Sequence, residues 1–420
     1  MNISPSHRGA TIVASLLLAG GLTLVGCTSG TDDATSTTSA TSTSAATVDS
    51  SGTTNQDSAT SAETIAATTD AAAQFLDTLT DEQREAVVYA YDDETKTTSW
   101  SNFPVTFVER AGLNLNDLDE EQRRAAMEVL EALLSDDGYE TVTGIIGGDE
   151  FLLDNSSSSE DSLGQYYIAF FGDPSDTESW QVQFGGHHLG INATLNGTDS
   201  SITFAPTHLG AQPAVYTDAD GNEVQPLAGM YETAFAFYDS LTDEQKAQLY
   251  QGTDVSNLVC GPGDTCDYPS GTGISGADLT DEQKNLLLDV IANWVGMSDP
   301  ETTESALSAI EATIDQTYVN WSGATEYDMS QGDGIYFQIS GPDVYIEFSN
   351  QQGSAGADVD GYTTSGWGHI HTIYRDPTND YAGSVTQQEA SGPGGAGGPG
   401  GAGGPGGPGG PDGPGGQPGN

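Results

Sequence analysis

Leu79-Thr80-Asp81-Glu82-Gln83-Arg84, Leu118-Asp119-Glu120-Glu121-Gln122-Arg123, Leu241-Thr242-Asp243-Glu244-Gln245-Lys246 and Leu279-Thr280-Asp281-Glu282-Gln283-Lys284 are four versions of one phrase. Thr80 with Gln83, Thr242 with Gln245 and Thr280 with Gln283 fit a capping box. In that motif the hydroxyl accepts from the backbone amide three residues on, and the glutamine side chain returns to the cap. The acidic residues between them stand where the helix dipole favours negative charge, so they read as helix starts and not as ligands or catalytic bases. The spacing predicts helices that begin at these points and run through Val87-Val88-Tyr89 and residues 125–134, 247–250 and 286–294.

Within each pair the phrases lie about forty residues apart, and alternating, aromatic-rich sequence ending in histidines follows each pair, which predicts an internally duplicated unit. Tyr166-Tyr167-Ile168-Ala169-Phe170-Phe171 with Trp180-Gln181-Val182-Gln183-Phe184 parallels Ile335-Tyr336-Phe337-Gln338-Ile339 with Val344-Tyr345-Ile346-Glu347-Phe348. Gly172-Asp173-Pro174 and Gly341-Pro342-Asp343 join them as turns, so antiparallel hairpins are expected. Asp220-Gly221 within residues 215–224 predicts another hairpin, and Glu223 stands where a calcium-binding EF-hand loop needs glycine. The expected fold class is α+β, with capped helices packed on antiparallel sheet over residues 69–383, in halves of about 69–230 and 231–383.

The N-terminal segment carries an address. His7 and Arg8 precede an apolar run, residues 11–24, that is too short and too terminal for a spanning helix and closes on Leu24-Val25-Gly26-Cys27. This resembles a bacterial lipobox. The resemblance implies a signal peptide, residues 1–27, ending at a Cys27 whose thiol carries diacylglycerol and whose amino group takes an acyl chain such as palmitate. Each buried CH₂ contributes about 0.8 kcal/mol, so two or three chains anchor a protein without any spanning segment. The expected partner is thus a membrane, reached through lipid on Cys27, with the body on the extracytoplasmic face. Thr28 in place of aspartate points to the outer membrane where the host has one, and otherwise to the cell membrane.

Residues 28–68 contain Thr, Ser, Ala and Asp with almost no bulky apolar side chain, and are expected to be a disordered tether. Residues 384–420 are rich in Gly and Pro. Their triplets imitate collagen, but the third position is mostly glycine as well, which predicts a disordered tail.

Sixty-two acidic residues against nine basic ones give a formal net charge of -53, which excludes nucleic acid and anionic membrane surfaces as partners. With Cys27 assigned to lipid, Cys260 and Cys266 remain in Cys-Gly-Pro-Gly-Asp-Thr-Cys, where an oxidising exterior predicts a disulfide. A ring this small contributes about 2 kcal/mol. A metal at this loop would need two further ligands that the loop lacks.

The helix starts, Phe184-Gly185-Gly186-His187-His188-Leu189, residues 321–326, Ile346-Glu347-Phe348-Ser349-Asn350 and above all His369-Ile370-His371-Thr372-Ile373-Tyr374-Arg375-Asp376-Pro377 resemble the bacterial family known as domain of unknown function 3500. The resemblance covers roughly residues 72–383 and implies no activity, substrate or catalytic residue. One departure is visible: residues 353–366 are inserted where the family pattern is shorter, which would displace any constellation joining Glu347 to His369.

The chemistry then comes from the residues. His369 and His371 are separated by one residue, so on a strand both imidazoles leave the same face and can chelate one ion at about 2.0–2.1 Å. His188, Glu347 and Asp376 are the candidates for the remaining ligands, and His187 is expected on the opposite side of its strand. Arg375 is expected to pair with Asp376 or to grip an anionic substrate. Imidazole and carboxylate ligands suit a transition metal such as zinc, copper or iron, and an open position would serve a hydrolase. No Gly-x-Ser-x-Gly elbow and no Walker loop competes. The expected function is an exported, lipid-anchored, metal-dependent hydrolase centred on His-x-His. The alternative is a non-catalytic surface binding or scaffold lipoprotein in which the same histidines are structural.

Overall fold

The first helix begins inside the segment read as tether. Helix α1 (Ser61–Thr78) starts at a capping box formed by Thr60 and Glu63. It buries Ile65, Ala72 and Phe75 in the main core, so residues 61–68 are ordered helix and the tether expectation is corrected there. Ser61 reinforces the start: its hydroxyl donates to Asp299 Oδ1 (3.1 Å) and its amide to Glu301 Oε2 (3.0 Å). Scarcity of bulky side chains does not preclude order here, because a cap and one apolar stripe are enough for a helix that has a surface to pack on.

The computed structural model describes residues 59–157, 163–252, 258–261, 266–330, 334–354 and 356–384, all within one compact unit, residues 53–420. The expected signal peptide with Cys27, the greater part of the expected tether and residues 385–420 lie outside the described residues. Among the described residues no helix is long and apolar enough to cross a membrane.

All four repeated phrases cap helices. After α2 (Asp81–Val87) and a short α3 (Thr95–Thr98) come α4 (Glu120–Leu133) and α5 (Asp136–Asn155); later come α6 (Ala228–Ser240), α7 (Asp243–Leu249), α8 (Asp281–Val295) and α9 (Pro300–Ala312). Helices α2, α4, α7 and α8 each open on a complete capping box, with Asp119 in the threonine's place at α4. Their glutamines do a second job. The Gln122 amide donates to Gln83 Oε1 (2.9 Å) and to Thr78 O (3.0 Å). Gln283 repeats this with Gln245 Oε1 (2.9 Å) and Ser240 O (2.9 Å). The phrase therefore recurs in pairs because the two caps of a pair hold each other.

The strands in chain order are β1 (Val88–Tyr89), β2 (Leu113–Asn114), β3 (Tyr167–Phe171), β4 (Ser179–Gly185), β5 (Leu189–Asn196), β6 (Ser201–Thr203) and β7 (Thr207–Ala211). They continue as β8 (Tyr216–Thr217), β9 (Glu223–Val224), β10 (Ile274–Ser275), β11 (Tyr318–Gly323), β12 (Ile335–Ser340), β13 (Tyr345–Asn350) and β14 (Ile370–Arg375). One sheet runs β1-β3-β4-β5-β7-β14-β13-β12-β11-β10, with β2 on β3 and β6 on β5, while β8 and β9 form the separate hairpin predicted at Asp220-Gly221. Helices and a large antiparallel sheet make the fold α+β. Two helix predictions ran one element too far: Val88–Tyr89 is a strand pairing parallel with β3, and Tyr250 forms a parallel bridge to Trp321. β-branched and aromatic residues favour a sheet edge over a last helical turn.

The element order repeats. Helix α2, the parallel pairing of Val88, β2, α4, α5 and β3 to β5 are followed by α7, the parallel bridge of Tyr250, β10, α8, α9 and β11 to β13. The two runs meet at the middle of the sheet, where β7 pairs antiparallel with β14. One face of the sheet is apolar and packs on the helices: Trp180, Val182 and Phe184 from β4, Ile346 and Phe348 from β13, Ile370 and Tyr374 from β14. The alternate positions are polar and also buried, as with Gln183, Asn192, Asn320, Gln338 and Glu347. They satisfy one another across the strands. Gln183 donates to its cross-strand partner Asn192 (2.7 Å), and Asn320 to its partner Gln338 (3.0 Å).

Candidate metal centre

The polar face at the β7–β14 seam holds all five histidines of the described residues, His187, His188, His208, His369 and His371, each between 0 and 6% exposed. Strand alternation places His371 on this face of β14, with His369 one step earlier on the same side. His371 lies opposite Gly210, and a Cβ at Gly210 would meet Ile370 O at 2.7 Å and His208 Cε1 at 3.3 Å. The glycine thus lets β7 close on β14 while His208 turns its ring toward His371, 5.4 Å between centroids.

His187 and His188 arrive from the β4–β5 turn. There Gly186 N donates to Leu189 O (2.9 Å), and a Cβ on Gly185 would lie 2.2 Å from that carbonyl. Both residues are in the bend and not in a strand, so alternation does not separate them. Their rings stack 4.3 Å apart at 14°, which corrects the expectation that His187 points away. His188 lies 5.5 Å from both His369 and His371, and His369 lies 4.8 Å from His371. Three imidazoles bound through nitrogen to one tetrahedral ion would hold their ring centres roughly 5 Å apart. The ligand atoms of His187, His188 and His371 all fall within 4.8 Å of one another. Closing on an ion at about 2.1 Å would bring them to about 3.4 Å, a small inward turn of each ring.

The second nitrogens of His188, His208 and His369 are tied in one consistent sense. His188 Nδ1 meets Asp149 Oδ1 at 2.6 Å, and the Tyr166 hydroxyl donates to Asp149 Oδ2 at 2.7 Å. His369 Nδ1 donates to Gly353 O (2.9 Å), and His208 Nδ1 to Thr372 O (2.7 Å). Acceptors at Nδ1 fix the proton there and leave Nε2 with a bare lone pair, the arrangement by which outer groups orient metal-ligating histidines. Asn102 Nδ2 stands 3.1 Å from His371 Nδ1 and donates to it, so His371 differs from the other rings unless the amide nitrogen and oxygen of Asn102 exchange places. The Nε2 atoms of His188, His208, His369 and His371 are buried and have no hydrogen-bond partner among the described residues.

Burial keeps the rings of His208, His369 and His371 neutral. Burial pushes His208 and His369 down to about 3, and burial with the neighbouring imidazoles holds His371 well below its ordinary value of 6.5. Burial raises Tyr166 well above 10, so it remains a donor to Asp149. Neutral imidazoles aimed at one another are competent ligands, not general acids.

The other sequence candidates are elsewhere. Glu347 shares the polar face, but its carboxylate accepts from the amides of Val259 (2.8 Å) and Cys260 (2.7 Å) and from the Tyr336 hydroxyl (2.6 Å). It anchors the loop closed by the Cys260–Cys266 disulfide and has no oxygen turned to the histidines. Arg375 is fully buried and donates to Cys260 O (3.2 Å) and Gly261 O (2.6 Å), with Asp380 at 3.4 Å, so it holds the same loop and does not pair with Asp376. Asp376 lies beyond the end of β14 and accepts from Thr378 N and Oγ1 (2.9 Å each). The segment 353–366, expected to displace the site, supplies the carbonyl that orients His369. His208 and Asp149 were missed. For His208 the signal was present: histidine is scarce here, and Thr207-His208-Leu209-Gly210-Ala211 lies between Pro206 and Pro213 as a strand-length segment.

The chain belongs to the family described as Protein of unknown function (DUF3500), whose model matches residues 61–383. No curated protein and no solved structure matches it.

Proposed function

We propose that this protein is an exported, lipid-anchored metalloprotein that binds one transition-metal ion, of the zinc or copper class, among His187, His188, His369 and His371, and that it uses the ion hydrolytically. The single supporting observation is the buried imidazole cluster in which the Nε2 atoms of His188, His369 and His371 lack partners, those of His188 and His369 on rings already tied at Nδ1. An all-imidazole set without thiolate fits borderline ions better than magnesium or calcium, which take oxygen ligands. A three-histidine centre leaves a fourth position, and a divalent ion there lowers the pKa of a coordinated water to about 7. The lipobox-like Leu24-Val25-Gly26-Cys27 supports the anchor and the extracytoplasmic site.

Elemental analysis after loading with zinc or copper tests the centre. About one equivalent per chain is expected in the wild type, and none in a His369→Ala, His371→Ala variant. Equal metal content in the two proteins would remove the proposal. The near-complete burial of the rings favours one second reading, a closed structural ion in a non-catalytic binding or scaffold lipoprotein. Metal-dependent cleavage of activated ester or phosphodiester substrates supports the first reading, and metal-dependent stability without turnover supports the second.

A further inference from the structure

The block that places His369 and His371 on the polar face of β14 also places Tyr374 on the opposite face, followed by Asp376 at the strand end. Both line a cavity of about 630 Å³ between the ends of β14 and β5, β6 and helix α9. That volume is in the range of small-molecule sites. Four carboxylates border it: Asp199, Glu301, Asp343 and Asp376. Among the described residues no lysine or arginine lines it.

Each carboxylate is held through one oxygen. Asp376 Oδ1 accepts from Thr378, Asp343 Oδ2 from Thr313 (2.8 Å), Glu301 Oε2 from the Ser61 amide and Asp199 Oδ2 from Asn196 (3.0 Å). The protein therefore fixes their positions while leaving acceptor capacity on the second oxygen of each. Tyr374 is the independent observation. It is 4% exposed, lines the cavity, and its hydroxyl has no hydrogen-bond partner among the described residues. Its hydroxyl is therefore left for whatever the cavity holds, water or ligand. Ala306, Ala309 and Ile310 from α9 provide an apolar wall beside the acids.

We propose that this cavity is a second ligand site, separate from the histidine cluster, that takes a small aliphatic ammonium compound. Its charged nitrogen lies among Asp343, Asp376 and the Tyr374 oxygen, and its methylenes lie along the α9 wall. The wall supplies acceptors to a group that has only donors to give, and the uncompensated negative charge selects a cation over a neutral polyol. The apolar side selects an alkylammonium over a bare hydrated ion.

Calorimetry with 1,5-diaminopentane on the full chain tests this, with calcium chloride and glucose as comparison probes. Saturable diamine binding that weakens at least tenfold in Asp376→Asn and several-fold in Tyr374→Phe, and is unchanged in His369→Ala, His371→Ala, is the expected result. Tyr374→Phe removes only the hydroxyl, so it remains informative if Asp376→Asn is poorly folded. No saturable diamine binding, saturation by calcium or glucose but not by the diamine, or wild-type affinity in both cavity variants would overturn the proposal.

Discussion

Acidification should unfold this protein through its histidines, in the presence of a chelator, before most of its carboxylates titrate. His208 and His369 stand at about 3 in the folded chain against an ordinary 6.5, and His371 is displaced in the same direction by burial. The group is a base with a depressed folded pKa. Below 6.5 the unfolded chain takes up a proton that the folded chain refuses, so unfolding becomes easier as pH falls through the window from 6.5 to 3. Between pH 7 and 5 His208 and His369 each cost roughly 2 kcal/mol, roughly 4 kcal/mol together, and His371 adds to the loss in the same direction. Domain stabilities run at about 5–15 kcal/mol, so this one effect removes a large share. The competing effect has the opposite sign, because protonating acids on a chain of charge -53 relieves self-repulsion, but ordinary carboxylates near 4 contribute little above pH 5. Urea unfolding followed by tryptophan fluorescence at pH 7, 6 and 5 measures the slope. His208→Gln, whose amide can still donate to Thr372 O, should reduce the loss by roughly 2 kcal/mol. A wild-type stability that changes by less than about 2 kcal/mol across this range, or an unchanged slope in the variant, would refute the claim that the rings are neutral and buried.

Three further outcomes are expected. Asp149→Asn should weaken zinc binding about 10–100-fold in a chelator competition, because His188 loses the carboxylate that orients it, while Tyr166→Phe has a smaller effect in the same direction. Gln283→Ala removes both halves of a cap-to-cap contact and should cost about 1–2 kcal/mol in urea unfolding, with Gln122→Ala matching it in the first half of the chain. Arg375→Met leaves Asp380 and two loop carbonyls without their partner and should destabilise by about 3–5 kcal/mol, read as a lower thermal midpoint.

Helix starts and hairpins were legible in the sequence because their determinants are local. A cap and its glutamine are three residues apart, and the alternation of Gln181, Val182, Gln183 and Phe184 reports a two-sided strand directly. The alternation was less informative about what covers the second side. Read as half-buried sheet, it predicts solvent on the polar face, whereas here loops bury that face as fully as helices bury the other. That difference decides the site. Glu347 and Arg375 looked available for chemistry from their positions beside the histidines, but a buried face must satisfy its charges, and the loop at Val259 and Cys260 does so. His187 was misplaced because strand alternation was carried two residues into a turn. Asp149 could not be found from spacing, since it meets His188 from helix α5, 39 residues away along the chain.

The accounting of polar groups on the buried face is what separates a ligand set from a structural cluster. Gln183, Asn192, Asn320, Gln338, Glu347 and Arg375 all have partners, supplied by neighbouring strands or by loop backbone. A fold able to do this for two charged side chains could do it for neutral imidazoles, and it does so at Nδ1 of His188, His208 and His369. The exceptions among the described residues include Ser340 Oγ and the Nε2 atoms of His188, His208, His369 and His371; the four imidazoles cluster in one region, and on His188, His208 and His369, which are tied at Nδ1, these Nε2 atoms are acceptors with no donor. Leaving each unsatisfied costs about 1–3 kcal/mol, a sum that is a sizeable part of a typical domain's stability. Protonating His369 or His371 would serve the others, but burial holds both well below their ordinary proton affinity. A cation that several nitrogens can share removes the whole cost at once, which is why the metal reading follows from the orphaned atoms and not from the number of histidines.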